Sequence, residues 1–278
     1  MGIKGHSINL LKSYLTNRRQ MVKLGTFTSD SLDNKYGVPQ GSTLGPLLFN
    51  LFISDLSTML ANTKHILFAD DLVITENESQ ISDLQEKLKY THTTIIKYFA
   101  ENGLVINAEK CNIMIFNKKS NMKDIKLNID NHQLETVKQF KYLGVILDEK
   151  LTLKVNNEQI YKKMANMIYA IKRNRKYLNE QLTFKLITAM VYSTLNYGIS
   201  IYYLFLTKIL DKKLNRLFHQ TLTLIIPGHP DDAKTKYKIL DVRQRFIYFT
   251  SIFVYKAINE KNHMFKNYDL NSYQLRGN

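Results

Sequence analysis

Gly37-Val38-Pro39-Gln40-Gly41-Ser42-Thr43-Leu44-Gly45-Pro46-Leu47-Leu48-Phe49, followed by Leu67-Phe68-Ala69-Asp70-Asp71-Leu72, decides how the rest of the chain reads. Two adjacent aspartates stand between short apolar runs, Ile66 to Ala69 and Leu72 to Ile74. Neither run is long enough for a helix, so the pattern predicts a hairpin with the acidic pair at its tip. Asp suits a tight turn because its carboxylate bonds the local backbone. Paired carboxylates at a rigid strand end also suit Mg2+, a hard cation that takes one or two of them beside phosphate oxygens. The dipeptide alone leaves both readings open.

The preceding glycines narrow the choice. Gly37, Gly41 and Gly45 with Pro39 and Pro46 predict a stiff loop that another molecule can approach closely. Leu44 to Leu60 then reads as one helix with Pro46 in its first turn. It is apolar from Leu47 to Ile53 except at Asn50, as in a helix buried on most sides. The loop is either a glycine-rich cap on a core helix or a backbone shaped to admit a nucleotide or base pair.

The chain has 278 residues, enough for one large core or two small domains. Its 39 Lys and Arg outnumber 24 Asp and Glu, giving a net charge of +15 that suits polyanion binding. The single Cys111 excludes a disulfide framework, and the seven histidines are scattered with no zinc spacing. The N-terminus shows no signal segment, which predicts an intracellular protein of nucleus or cytoplasm. Leu186 to Thr207 carries no charge, yet Asn196, Gly198 and several tyrosines favour a buried helix pair broken near Gly198 over a membrane span.

Elsewhere the expected elements alternate and then become helical. Residues 7–20 read as a helix capped by Ser7, and Met21 to Thr28 as strand. Ser79 to Glu101 is an amphipathic helix stopped by Asn102-Gly103. Leu104 to Ile106 and Cys111 to Phe116 read as strands about an Asn107–Lys110 turn, and 117–126 as a polar loop. Ile125–Ile129 and Leu134–Val137 read as a hairpin around Asp130-Asn131, and Phe140 to Leu147 as strand with a bend at Gly144. From about 150–155 onward the pattern is helical, and Pro227-Gly228-His229-Pro230 closes one segment. Gln159 to Asn179 carries Lys162, Lys163, Lys172, Arg173, Arg175 and Lys176, a stripe suited to a phosphate backbone or to plain solvation. The fold class is α+β.

The Gly37–Phe49 block, Phe68-Ala69-Asp70-Asp71 and Phe140-Lys141-Tyr142-Leu143-Gly144-Val145 closely resemble, in order and spacing, reverse transcriptases of non-LTR retrotransposons of the jockey-like, LINE type. The resemblance runs from about residue 1 through the 170s and more weakly to about 260. It implies a partial polymerase palm over 1–150, an antiparallel sheet with packed helices. An all-helical thumb-like region follows over 151–260, with a loosely ordered tail over 261–278. It also implies an RNA-directed DNA polymerase that transfers nucleotides to a primer 3′-hydroxyl with two Mg2+ ions. RNA template, DNA primer and deoxynucleoside triphosphates would be its partners, with no membrane.

By the same resemblance, Asp70 and Asp71 are catalytic metal ligands, Asp70 the stricter one, and Lys110 is the candidate proton donor to pyrophosphate. Gln40, Gly41 and Phe68 would meet the nucleotide. Tyr142, Leu143 and Gly144 would form the primer grip, and the Lys162–Lys176 stripe would follow the nucleic acid. The family's first catalytic strand, with another essential aspartate, lies upstream of the segment matching Met1. Asp30, Asp33 and Asp55 do not sit at apolar strand ends and do not replace it. The expectation is therefore a weakly active or inactive fragment, with an exposed apolar sheet edge and an upstream segment able to complement it. The alternative is a non-catalytic nucleic-acid-binding protein derived from a retroelement remnant.

Overall fold

The computed structural model describes residues 4–116, 127–129 and 132–259. The elements run α1 (His6–Leu15), β1 (Arg18–Gln20), β2 (Lys23–Leu24), β3 (Phe27–Thr28), β4 (Leu32–Asn34), α2 (Gly45–Phe52), α3 (Leu56–Met59), β5 (Lys64–Phe68), β6 (Asp71–Thr75) and α4 (Ile81–Glu101). Six short strands follow: β7 (Asn112–Ile113), β8 (Asn128–Ile129), β9 (His132–Gln133), β10 (Glu135–Thr136), β11 (Gln139–Tyr142) and β12 (Val145–Asp148). The remainder is helical: α5 (Lys154–Asn174), α6 (Glu180–Leu186), α7 (Ser193–Asn196), α8 (Ile199–Tyr202), α9 (Lys208–Ile225), α10 (Pro230–Lys236) and α11 (Val242–Asn259). The architecture is α+β, with strands and helices mixed first and helices nearly alone afterwards.

Among the described residues the strands pair only two by two: β1 with β4, β2 with β3, β5 with β6, β8 with β9 and β11 with β12 antiparallel, and β7 with β10 parallel. The chain divides into two compact units, drawn from Met1–Lys110 with Ile125–Gln133 and from Cys111–Asp124 with Leu134–Asn278. The β11–β12 hairpin thus groups with the helices that follow it.

The first unit has a small core. Leu56 and Leu60 after α2 are buried against Ile95 and Tyr98 of α4, and Leu67, Leu72 and Ile74 of the β5–β6 hairpin pack on them. Period-two alternation sends Ile66 and Phe68 to the other face, where they are 45% and 59% exposed. The second unit has the larger core. Met164, Ile168 and Ile171 of α5 interlock with Ile187, Val191 and Leu195 and with Leu214, Phe218 and Leu222 of α9. Val145 and Leu147 of β12 pack against this core. Among the described residues no helix is long and apolar enough to cross a membrane. The uncharged run breaks at Gly198, whose φ of 68° ends α7 and starts α8.

Several expected elements differ. The first helix stops at Leu15, because the Thr16 hydroxyl bonds the Lys12 carbonyl at 2.8 Å and Asn17 turns left-handed at φ 54°. Arg18–Gln20 consequently leaves as a strand. Met21 to Thr28 is no single strand; it folds back at Gly25, φ 60°, as the β2–β3 hairpin. The expected Leu44–Leu60 helix is two helices. Ser54 bonds the Leu51 carbonyl at 2.8 Å, and Asp55 accepts from Tyr98, so short polar side chains interrupt the ladder.

After α4, Gly103 at φ 66° closes a Schellman turn, with Gly103 N–H to Ala100 O at 3.1 Å and Leu104 N–H to Phe99 O at 2.8 Å. That closure takes the Leu104 amide, and 104–106 form no strand. Cys111 to Phe116 keeps strand pairing only at Asn112–Ile113. The hairpin near 130 is made by Asn128–Ile129 with His132–Gln133, whereas Glu135–Thr136 joins β7 instead. Residues 117–126, 130–131 and the tail from 261 lie outside the described residues.

Candidate active site

The β5–β6 hairpin is registered Lys64↔Thr75 through Phe68↔Asp71, which leaves Ala69 and Asp70 as its two-residue turn. Ala69 takes φ 52°, the positive value that primed hairpin turns require at their first central position. An alanine there is strained by roughly 1–2 kcal/mol relative to glycine. The acidic pair is therefore split: Asp70 is in the turn and Asp71 opens β6, opposite Phe68. All three side chains are exposed. The inner face of the hairpin, held by Leu67, Leu72 and Ile74, fixes the base on which they stand.

The glycine loop is positioned by other partners. Arg18 donates to the carbonyls of Leu15, Tyr36 and Gly37 at 3.2, 2.8 and 2.5 Å, pinning the start of the loop. Ser42 N–H bonds Pro39 O at 3.3 Å across Gln40-Gly41, and Gly41 has φ 76°, the third-position value of a type II turn. Gln40 is the exposed side chain on this turn. The Ser42 hydroxyl accepts from Gly45 N–H at 3.0 Å, taking one of the unpaired amides of α2. A Cβ on Gly45 would lie 2.9 Å from that hydroxyl, which would have to shift and give up its bond to the Gly45 amide. Lys110, exposed, ends the 3-10 turn Ala108–Lys110 that follows α4.

In the second unit Tyr142, Leu143 and Gly144 form the tip of the β11–β12 hairpin, with Leu143 and Gly144 at φ 43° and 83°. The Asn156 side-chain oxygen accepts from Ile146 N–H at 3.0 Å and ties the hairpin to α5. Below it Asp148 accepts from the amides of Lys150, Thr152 and Leu153 and from the Thr152 hydroxyl. Burial alone would raise the Asp148 carboxyl; these bonds outweigh it and hold it below the usual range.

Along α5, Lys162, Lys163, Lys172 and Arg173 are exposed, opposite the buried Met164, Ile168 and Ile171. Lys176 is also exposed, with its ammonium 4.8 Å from the Tyr177 ring centre. Arg175 is different. Its guanidinium donates to the carbonyls of Leu224, Leu178 and Ile225 at 2.6, 2.5 and 3.2 Å, so it closes the end of α9.

Three residues matter that the sequence patterns did not single out. Tyr98 donates to Asp55, and burial and that bond push its hydroxyl up to about 12. Arg245, 9% exposed, lies 4.0 Å from the Tyr192 ring centre and donates to Leu240 O at 2.8 Å; burial lowers it from the usual arginine value. Tyr197 donates to Leu143 O. The Tyr98, Arg245 and Tyr197 side chains each meet a residue far away in sequence, which no local spacing encodes.

A family model described as reverse transcriptase (RNA-dependent DNA polymerase) matches residues 2–147, more than half of the chain. The chain belongs to the reverse transcriptase family. The match takes in the glycine loop, the acidic hairpin and most of the β11–β12 hairpin. The RNA-directed DNA polymerase from mobile element jockey of Drosophila melanogaster is 33% identical over 213 residues, which is 69% of this chain and 22% of that protein. The probable RNA-directed DNA polymerase from transposon BS of the same fly is 30% identical over 176 residues, 59% of this chain and 19% of that protein. A Pol polyprotein from the type-1 retrotransposable element R2 of Popillia japonica is 24% identical over 196 residues, 63% of this chain and 31% of that protein. The chain spans about a fifth of the length of the two fly relatives. Its resemblance is thus to reverse transcriptases of non-LTR retrotransposons, over part of their length.

Proposed function

We propose that the chain is the palm-and-thumb portion of a retrotransposon RNA-directed DNA polymerase, residues 1–150 contributing palm and the helical stretch 151–260 thumb. One observation carries this reading: within the segment that matches the family, Asp70 and Asp71 stand exposed at the turn of a hairpin whose base is packed into a core. Exposed acids on a rigid turn are where nucleotidyl transfer needs charge. Gln40 and Gly41 offer the nucleotide a turn fixed from both sides, by Arg18 and by Ser42. Phe68 sits opposite Asp71 in register. Lys110 is the candidate proton donor to the leaving pyrophosphate. The tip Tyr142–Gly144 contacts the primer end, and Lys162, Lys163, Lys172, Arg173 and Lys176 follow the phosphate backbone of an RNA template paired with its DNA primer. Arg175 is left out of that set, since three carbonyls occupy it.

Asp70 in the turn and Asp71 at the start of β6 would hold Mg2+, a hard cation suited to carboxylate oxygens beside those of a phosphate. The chemistry supplied there would be a lowered pKa of the primer 3′-hydroxyl and neutralisation of charge on the transferred phosphoryl group. Among the described residues no group of three or more His, Cys, Asp or Glu gathers to hold a metal. Asp55 is engaged by Tyr98, and Asp33 pairs with Arg19 at 3.0 Å. The described residues therefore supply only part of a ligand set, and polymerisation by this chain alone is slow.

That same observation favours a second reading, a nucleic-acid-binding protein of retroelement origin that does not polymerise. Primer extension in Mg2+ on an RNA template separates the two. The polymerase reading requires incorporation that Asp70→Asn with Asp71→Asn abolishes. Template binding that survives the double substitution, with no incorporation by either protein, supports the second.

A further inference from the structure

We infer that Tyr197 is a positioning residue for the Leu143–Gly144 turn, fixing the hairpin tip that, on the polymerase reading above, meets the 3′ end of the primer. Two successive residues with positive φ make this a primed turn, and leucine at φ 43° is disfavoured there. A bond from outside the ladder reaches it. The Tyr197 hydroxyl donates to the carbonyl of Leu143 itself. The same ring lies under Gly144: a Cβ there would be 3.0 Å from Tyr197 Cε1 and 3.3 Å from its hydroxyl. Glycine at 144 is thus favoured by φ 83°, and a Cβ there would crowd the ring.

Tyr197 is in turn fixed by the break between α7 and α8. Its N–H bonds Ser193 O at 3.1 Å, and Gly198 follows in the left-handed region. A Cβ on Gly198 would lie 3.4 Å from Val145 Cγ2, so the break and the hairpin are fitted to each other. The residue is nevertheless 59% exposed. Core packing does not account for an exposed tyrosine here; its bond to the turn does. Asn156, 4% exposed, holds the strand behind the turn through Ile146, whereas Tyr197 holds the turn itself.

The test uses the full 278-residue chain with Tyr197→Phe, which keeps the ring and removes the donor, and Gly144→Ala, which drives a Cβ into the ring. Two readouts are taken. Amide exchange over 139–148 should quicken about three-fold or more in Tyr197→Phe, with α9 exchange unchanged. The ratio of affinities for an RNA–DNA duplex with a recessed DNA 3′ end and the same duplex with a blunt end should fall about three-fold or more, with blunt-duplex affinity unchanged. Gly144→Ala should quicken exchange over 139–148 in the same way. Exchange over 139–148 unaltered in folded Tyr197→Phe overturns the inference. A wild-type ratio of one overturns instead the reading of the tip as a primer contact, and exchange still decides whether Tyr197 sets the turn. An altered exchange with an unaltered ratio overturns the link between the two.

Discussion

Arg18 joins three carbonyls through one guanidinium, and its loss frees the start of the glycine loop. Charged hydrogen bonds at a half-exposed site are each worth about 1 kcal/mol or a little more. Arg18→Ala should therefore destabilise the first unit by about 1–2 kcal/mol and expose residues 36–42 to limited proteolysis. An unaltered cleavage pattern would refute that role. Tyr98 carries a pH signature. Its pKa is raised to about 12, so the folded state keeps the proton after an unfolded tyrosine, near 10, has lost it. That contribution is complete below pH 10 and disappears as pH rises toward 12. Tyr98→Phe should flatten the loss of stability over this interval relative to wild type, measured by urea denaturation at stepped pH. The acidic pair and glycine loop were legible in sequence because their chemistry is local. The roles of Arg18, Tyr98 and Tyr197 were not, because each bond closes a loop that spacing does not encode.

The β2–β3 hairpin turns Leu24 and Phe27, 80% and 82% exposed, into solvent. Among the described residues every ladder has two strands, so each strand keeps one edge with no ladder partner. Open edges and apolar side chains together favour association. The chain should self-associate at micromolar concentration in sedimentation, and Leu24→Lys with Phe27→Lys should lower the association several-fold. A monomer at all concentrations would refute this. The long elements α4, α5, α9 and α11 were readable from their apolar period or from the helical pattern around them. Boundaries failed where a short polar side chain competes with the helical ladder, at Thr16 and Ser54, and where a two-residue turn replaces a straight strand, at Gly25 and Leu143. The helix break at Gly198 was legible because glycine after Tyr197 interrupts an uncharged run.

Across the whole molecule the net charge of +15 sets the long-range attraction to a polyanion, and the stripe on α5 concentrates part of it on one helix face. Each of Lys162, Lys163, Lys172, Arg173 and Lys176 replaced by Ala should weaken RNA–DNA duplex binding without changing sequence preference. The slope of log affinity against log salt should become shallower by about one for each phosphate that is no longer neutralised. Arg175→Ala should instead lower the melting temperature through the end of α9. Equal salt slopes for wild type and the stripe variants would place the nucleic acid elsewhere.

The most direct measurement is primer extension on an RNA template in Mg2+. The 278-residue chain would be compared with its Asp70→Asn, Asp71→Asn variant, both shown folded and both bound to template–primer. The account predicts slow, magnesium-dependent incorporation by the wild type and none by the variant. Incorporation that survives the double substitution, or none from either protein with template–primer bound, would contradict it.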